Sequence, residues 1–454
     1  MTFALRTSLI TLGTASLATL ALAGDPLPPD TTYRPLPTQP LSVVRAMDEA
    51  QKPAVMARQR AMLEARYDLA DRPMSGAMMS GGRKAVQDGV RVRLPEGQTW
   101  DGLAALTPAE IREKGLLPDG FKPLPHVKQA PNGQVYPETQ IEVIAREEGR
   151  DLRRFDVEHD LPLHLTPEFP PPLFLTTHTE LGDVSRGRLL TIKNYYEIMN
   201  GLITPVQMEG LRLLLTPFPQ EEFNPTDDRK SAQPSLGVTC LDCHVNGHTT
   251  AQFHLNPDDR PQQRRFRLDT VSLRGLFNQQ IHGSKRSLRS VEDFTEFEIR
   301  TAYFNGDPIH AMKKGFTVVP REQVAHMAQM QNMLGFPPAP KLGPTGRLDP
   351  RKATPNELRG EQVFYGKGQC AGCHSGPGFL DHQMHDLQVE RFTKEPGDGP
   401  IKTFTLRGIK DSPPYLHDGR LLTLEDTVEF FNLVLGVNLT RDEKADLVAF
   451  LRVL

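Results

Sequence analysis

The chain has 454 residues, 38% of them apolar and 24% charged, with a formal net charge of −3. That composition suits a globular protein of two or three domains with a sizeable core, and it excludes a basic nucleic-acid-binding footprint. Forty prolines and 36 glycines predict loops and short helices rather than large sheets, so the expected fold class is mainly α.

Residues 1–23 combine Arg6, an apolar run over 7–20 and the Ala21-Leu22-Ala23 cleavage pattern, the marks of a secretory signal peptide. The run is interrupted by Thr and Ser and is short of the roughly 20 residues that a spanning helix needs. No later stretch is apolar enough to span. A periplasmic or otherwise exported protein is expected, with no membrane span after signal removal. The removed segment holds one arginine and no acid, so −3 becomes −4. The proline-rich stretch 25–40 reads as an extended strap. Residues 44–68 read as a long amphipathic helix, and LTPAEI (106–111) as the start of a short capped one. LTPEFPPPLF (165–174) reads as a linker or a segment lying across a domain surface.

All four cysteines fall in two copies of one pattern, Cys240-Leu-Asp-Cys243-His244 and Cys370-Ala-Gly-Cys373-His374. A zinc site usually sets its C-x-x-C pairs close together and leaves the histidines without a role. Disulfides suit an oxidising compartment but do not require histidine after the second cysteine. Covalent haem c requires all three residues: two thiols for the vinyl groups and the next histidine for the iron. The pattern predicts two covalently bound haem c groups, with His244 and His374 as proximal ligands.

A second repeat follows the motifs. Residues 270–298 set beside 403–431 without gaps match at nine positions, among them Arg274/Arg407, Gly275/Gly408 and Asp293/Asp426. Chance gives about two for ordinary composition. The motifs themselves are offset by 130, so a three-residue loop difference separates two copies of one haem domain. HMAQMQNM (326–333) carries Met at helical spacing and reads as core. Thr354-Pro355-Asn-Glu357 is a capping box opening a helix through Phe364, just before the second motif. Thr440-Arg-Asp-Glu443 opens a closing helix with Leu447, Phe450 and Leu451 on one face. The expected organisation is a signal peptide (1–23), an N-terminal region of unassigned role (24–195), a first haem c domain (196–345) and a second (346–454).

With two haem motifs and the run TLRGIKDSPPYLHDGRLLTLEDTVEFF, the chain resembles the bacterial diheme cytochrome c peroxidase superfamily, which includes the MauG-like enzymes. The resemblance covers roughly residues 200–454. It implies that the haem on Cys240, Cys243 and His244 reacts with hydrogen peroxide. The haem on Cys370, Cys373 and His374 would take electrons from a small donor protein such as a cytochrome c or cupredoxin. A calcium ion between the haem domains is a further expectation. Two other readings stay open: a MauG-like oxidase of an organic or protein substrate, and a non-catalytic diheme electron carrier.

The sequence departs from the family at several points. The late Met or Tyr ligand of the second haem falls on Phe431, and no methionine follows Met384. His417 is the nearest replacement by residue type and Tyr415 another; His382 and His385 read as surface loop. The single tryptophan, Trp100, lies far upstream of both motifs, where the family sets one between its haems. Glu298 stands opposite Phe431 in the repeat and is the first candidate for moving a proton between peroxide oxygens. Glu296 is the second, and His254, His248 and His282 are candidate distal histidines.

Mass spectrometry of the exported protein should show two haem additions that survive acid–acetone extraction. Zinc or two disulfides in their place would overturn the reading of both motifs.

Overall fold

The computed structural model describes residues 39–125, 134–153, 157–219, 237–254, 267–284, 288–299, 319–393 and 399–454. The expected signal peptide and nearly all of the proline-rich strap lie outside them. Helices dominate, and the strands form only two- and three-stranded pieces of sheet, so the mainly helical expectation holds.

Two helix pairs frame the functional part of the chain. Pro205–Leu214 packs on Arg321–Gln331, and Pro355–Tyr365 packs on Arg441–Leu451. The first helix of each pair opens with a Thr-Pro capping box. The backbone N–H of Thr204 donates to Gln207 Oε1 and that of Thr354 to Glu357 Oε2, each at 2.8 Å. Proline at the first helical position costs no hydrogen bond, because that N–H has no partner within the helix. Six residues after each threonine, a glycine lies at the crossing. A Cβ on Gly210 would sit 2.0 Å from the His326 carbonyl oxygen, and one on Gly360 would sit 1.9 Å from that of Asp446. Only glycine lets these backbones approach so closely.

Between the helices of each pair the same short elements recur. Strands Leu268–Asp269 and Ile401–Lys402 pair antiparallel with Phe253–His254 and Met384–His385 respectively. Gly275 and Gly408 then adopt left-handed φ of 76° and 72°. Isolated bridges join His282 to Leu288 and Tyr415 to Leu421. Capped helices Val291–Glu298 and Leu424–Leu435 follow. The 133-residue offset read from the sequence thus holds in the backbone from 268/401 to 298/431.

The stretch before residue 196 divides between two cores. Val55, Leu103, Phe121 and Leu124 pack with Phe364, Phe430 and Phe450 of the second unit. Tyr136, Ile144, Leu173 and Leu175 pack with Leu211, Leu241 and Met327 of the first. Helix Leu41–Arg66 fills the position expected for 44–68, and Pro108–Glu113 is the short helix capped by Thr107. The upstream segment is tied to the second unit by buried carboxylates. Asp426 accepts from the backbone of Arg91 (2.7 Å) and Val92 (3.0 Å), and Asp418 from that of Leu124 (2.8 Å). Trp100 lies 5.6 Å from Phe121, which meets Phe430 edge-on at 5.4 Å. The 165–174 segment is not a surface strap, since Leu165, Glu168, Leu173 and Phe174 are all buried.

The two units meet across a polar seam. Arg274 Nη1 pairs with Asp411 Oδ2 at 3.1 Å, and both side chains are buried. Asp411 Oδ1 also accepts from the Ser80 backbone at 2.9 Å, and Arg274 Nη2 donates to the Pro172 carbonyl at 2.6 Å. The Lys402 backbone donates to Ser284 at 2.8 Å and that of Asp269 to His417 at 2.8 Å.

Asp411→Ala would leave the Arg274 guanidinium buried without its counter-charge, a loss of about 3–5 kcal/mol. Urea unfolding should show a lower midpoint, and Asp411→Asn should lose less, because its amide oxygen still accepts from Ser80. Equal midpoints for the Ala variant and the parent would remove the seam from the stability of the fold.

Candidate haem site

The first motif folds as one helical turn, Cys240–Cys243, capped by Thr239. Asp242 Oδ2 accepts the Thr239 backbone N–H at 2.7 Å. The same carboxylate takes a two-pronged contact from Arg150, at 2.6 and 2.8 Å. Gln140 Nε2 donates to the Asp242 carbonyl at 2.5 Å, and Tyr136 Oη lies 3.4 Å from Cys243 Sγ. Residues 136–150 of the upstream region therefore hold the first motif in place. The second motif begins as a 3₁₀ turn, Cys370–Gly372.

Both histidines are oriented by backbone carbonyls. His244 Nδ1 donates to the Val271 carbonyl at 2.9 Å, and His374 Nδ1 to that of Phe379 at 3.0 Å. The carbonyl of Phe404, the repeat counterpart of Val271, also acts on the His374 ring. Fixing Nδ1 leaves Nε2 as the ligating nitrogen, the usual arrangement of a metal-bound histidine. Burial pushes the His244 imidazole down to about 4 and lowers that of His374, which favours the neutral form that ligates a metal. Burial also pushes the Cys370 thiol up to about 12 and raises that of Cys373.

Both motifs open on one cavity of about 770 Å³, within the range of roughly 300–1,000 Å³ common for cofactor pockets. The donor set fits haem c. The four cysteines form no disulfide. At the second motif, the burial that raises the Cys370 and Cys373 thiols disfavours the thiolate form that zinc would need. Among the described residues, one cluster of three potential ligands occurs, Cys373, Asp381 and His385. It unites a single cysteine with Asp381 and His385, which follow it in the chain.

The predicted site residues separate in the structure. Glu298, His254, His417, Tyr415 and Phe431 all line the cavity. Glu296 does not line it; its carboxylate is ion-paired with Arg321 from the neighbouring helix. His248 lines the cavity, but its ring is held on both sides, by Ser272 Oγ at 2.8 Å and the Asp411 carbonyl at 3.0 Å. Arg150 was not legible as a support of the first motif, because it lies 92 residues before Asp242.

No family model matches the chain. Among curated proteins it is similar to the cytochrome-c peroxidase IdrP2 of Denitromonas iodatirespirans, 30% identical over 22% of this chain and 40% of that one. It is also similar to the cytochrome c551 peroxidase of Nitrosomonas europaea, at 35% identity over 22% and 34% of the two chains. The methylamine utilization protein MauG of Methylorubrum extorquens matches at 31% over 21% and 33%. The chain spans between 33% and 40% of the length of these relatives. These matches make part of the chain similar to cytochrome-c peroxidases and to MauG. Among the described residues no helix is long and apolar enough to cross a membrane.

Arg150→Met would leave the Asp242 carboxylate buried and unpaired, at a cost of about 3–5 kcal/mol. Peptide mass mapping should then find less haem on the first motif and unchanged haem on the second. Full loading of both would show that the clamp is dispensable.

Proposed function

We propose that the chain is an exported diheme c-type oxidoreductase that reduces hydrogen peroxide at the haem of the first motif. Electrons from a small donor protein would pass through the haem of the second. The observation that carries this reading is the unequal lining of one shared cavity. At the repeat position facing it from each unit, the first places Glu298 and the second Phe431. A carboxylate beside a bound peroxide moves a proton from one oxygen to the other; a phenyl ring only excludes water. The bound haem supplies the redox-active iron. The chain's own residues hold it through two thiols and a histidine in each unit, and Glu298 handles the proton, with His254 as the second candidate.

At the second haem His417 would be the candidate for a further iron ligand, with Tyr415 as the alternative, since Phe431 has no atom that binds iron. A MauG-like oxidation of an organic or protein substrate remains a second reading, supported by the similarity to MauG itself. Substrate oxidation that consumes peroxide without an electron donor would favour it. The ferric spectra also separate the readings: two low-spin haems would favour an electron carrier, and a high-spin haem an enzyme.

Glu298→Gln should slow peroxide reduction by ~10²–10⁴-fold with haem content intact, the usual worth of one acid–base group. Stopped-flow mixing with peroxide measures it, and a wild-type rate in the variant would remove Glu298 from the chemistry. His417→Ala should change the visible spectrum of the second haem and leave that of the first unaltered. An unaltered second spectrum would return His417 to a supporting role.

A further inference from the structure

The internal repeat allows each cavity-lining position to be compared with its counterpart. Positions 282, 284 and 298 of the first unit line the cavity, and so do 415, 417 and 431 of the second. The first unit presents His282, Ser284 and Glu298 where the second presents Tyr415, His417 and Phe431. The backbone is shared and the chemistry differs.

His282 is 3% exposed. Its main chain is fixed by reciprocal bonds with Leu288, its N–H donating at 2.7 Å and its carbonyl accepting at 3.4 Å. Tyr415 is held to Leu421 by the same bridge. The following turn is stitched to the second unit, where the Ser284 carbonyl accepts from the Lys402 backbone at 2.8 Å. The imidazole therefore stands where the two units meet, and its Nε2 is buried with no hydrogen-bond partner among the described residues. Buried polar atoms in folded proteins are nearly always paired, and an exception that lines a cavity points to a catalytic role or to a water, ion or ligand. Neighbouring histidines are already engaged: His248 through both ring nitrogens, and His244 through Nδ1 on the Val271 carbonyl. Burial, reinforced by the charge of Lys402 and opposed by that of Glu292, pushes the His282 ring down to about 4. A neutral ring can accept a proton.

We propose that His282 is a proton-transfer residue of the first haem pocket, acting beside Glu298 on a weak acid that enters the cavity. The peroxide step rests on the peroxidase reading above; the proton-handling role does not. With peroxide, Nε2 takes the proton from one oxygen and, with Glu298, returns it to the other. The O–O bond then breaks, and its electron pair leaves on that second oxygen as water. The donor protein supplies the two electrons that reduce the remaining oxygen to water, with two protons from solvent.

Cyanide tests the role without peroxide, because hydrogen cyanide must lose its proton to bind ferric iron. The oxidised holoprotein is mixed with cyanide by stopped flow, as wild type, His282→Ala and His282→Gln. Both variants should bind ~10²-fold more slowly or worse, the lower range for one acid–base group, with haem content and the spectrum of the second haem unchanged. Wild-type rates in both variants overturn the proposal. So does a wild type that binds no cyanide, because the pocket then lacks an open position. Faster binding with an altered resting spectrum would make His282 an iron ligand and overturn it as well. Slow cyanide binding in the variants, beside a wild type inert to peroxide, would leave His282 in place and remove only the peroxidase reading.

Discussion

The buried pair of Arg274 and Asp411 is the constraint on which the site depends. Each unit carries half of the cavity wall, and the halves enclose one space only while the units keep their relative position. Two charges out of water favour association only when well placed and further hydrogen-bonded. Here Asp411 Oδ1 accepts from Ser80 and Arg274 Nη2 donates to Pro172, both from the upstream region, while Arg274 Nε has no partner among the described residues. The seam is thus a three-part junction in which each unit and the upstream chain contribute. Arg407, the counterpart of Arg274, binds the carbonyls of Leu454 and Pro337 instead. The same side chain meets a buried carboxylate of the other unit in one copy, and in the other it meets two backbone carbonyls, one at the chain's end and one just before the second unit.

Duplication explains how one backbone design makes two unlike pockets. The glycine crossings, left-handed turns, bridges and capped helices are requirements of chain geometry, and both copies keep them. The side chains that face the cavity are free of that requirement. They are where histidine and glutamate in the first copy are replaced by tyrosine and phenylalanine in the second.

Local signals in the sequence were reliable where the physics is local. The capping boxes at Thr107, Thr354 and Thr440 each start a helix where expected. The helix at Pro205 was missed although Thr204-Pro205-Val-Gln207 bears the same signature, with Gly210 in the place of Gly360. The 133-residue alignment did not extend that far, because these helices are offset by 150. The repeat ranks Glu298 above Glu296 by setting it opposite Phe431, and helix geometry separates the two further. Two residues are about 200° of helical turn, so one faces Arg321 and the other the cavity. The support of the first motif by Arg150, and the division of the upstream region between two cores, depend on contacts between distant parts of the chain that no spacing encodes.

Trp100 lies on the segment that wraps the second unit, and Phe121 and Phe430 carry its ring contacts inward to the cavity wall. As the chain's single indole, it gives the protein one intrinsic fluorophore of this kind, placed beside a chromophore that would absorb its emission. Brightness would then report whether that wrapping segment is seated on a loaded second unit, a signal that far-ultraviolet dichroism, averaged over every helix, does not isolate.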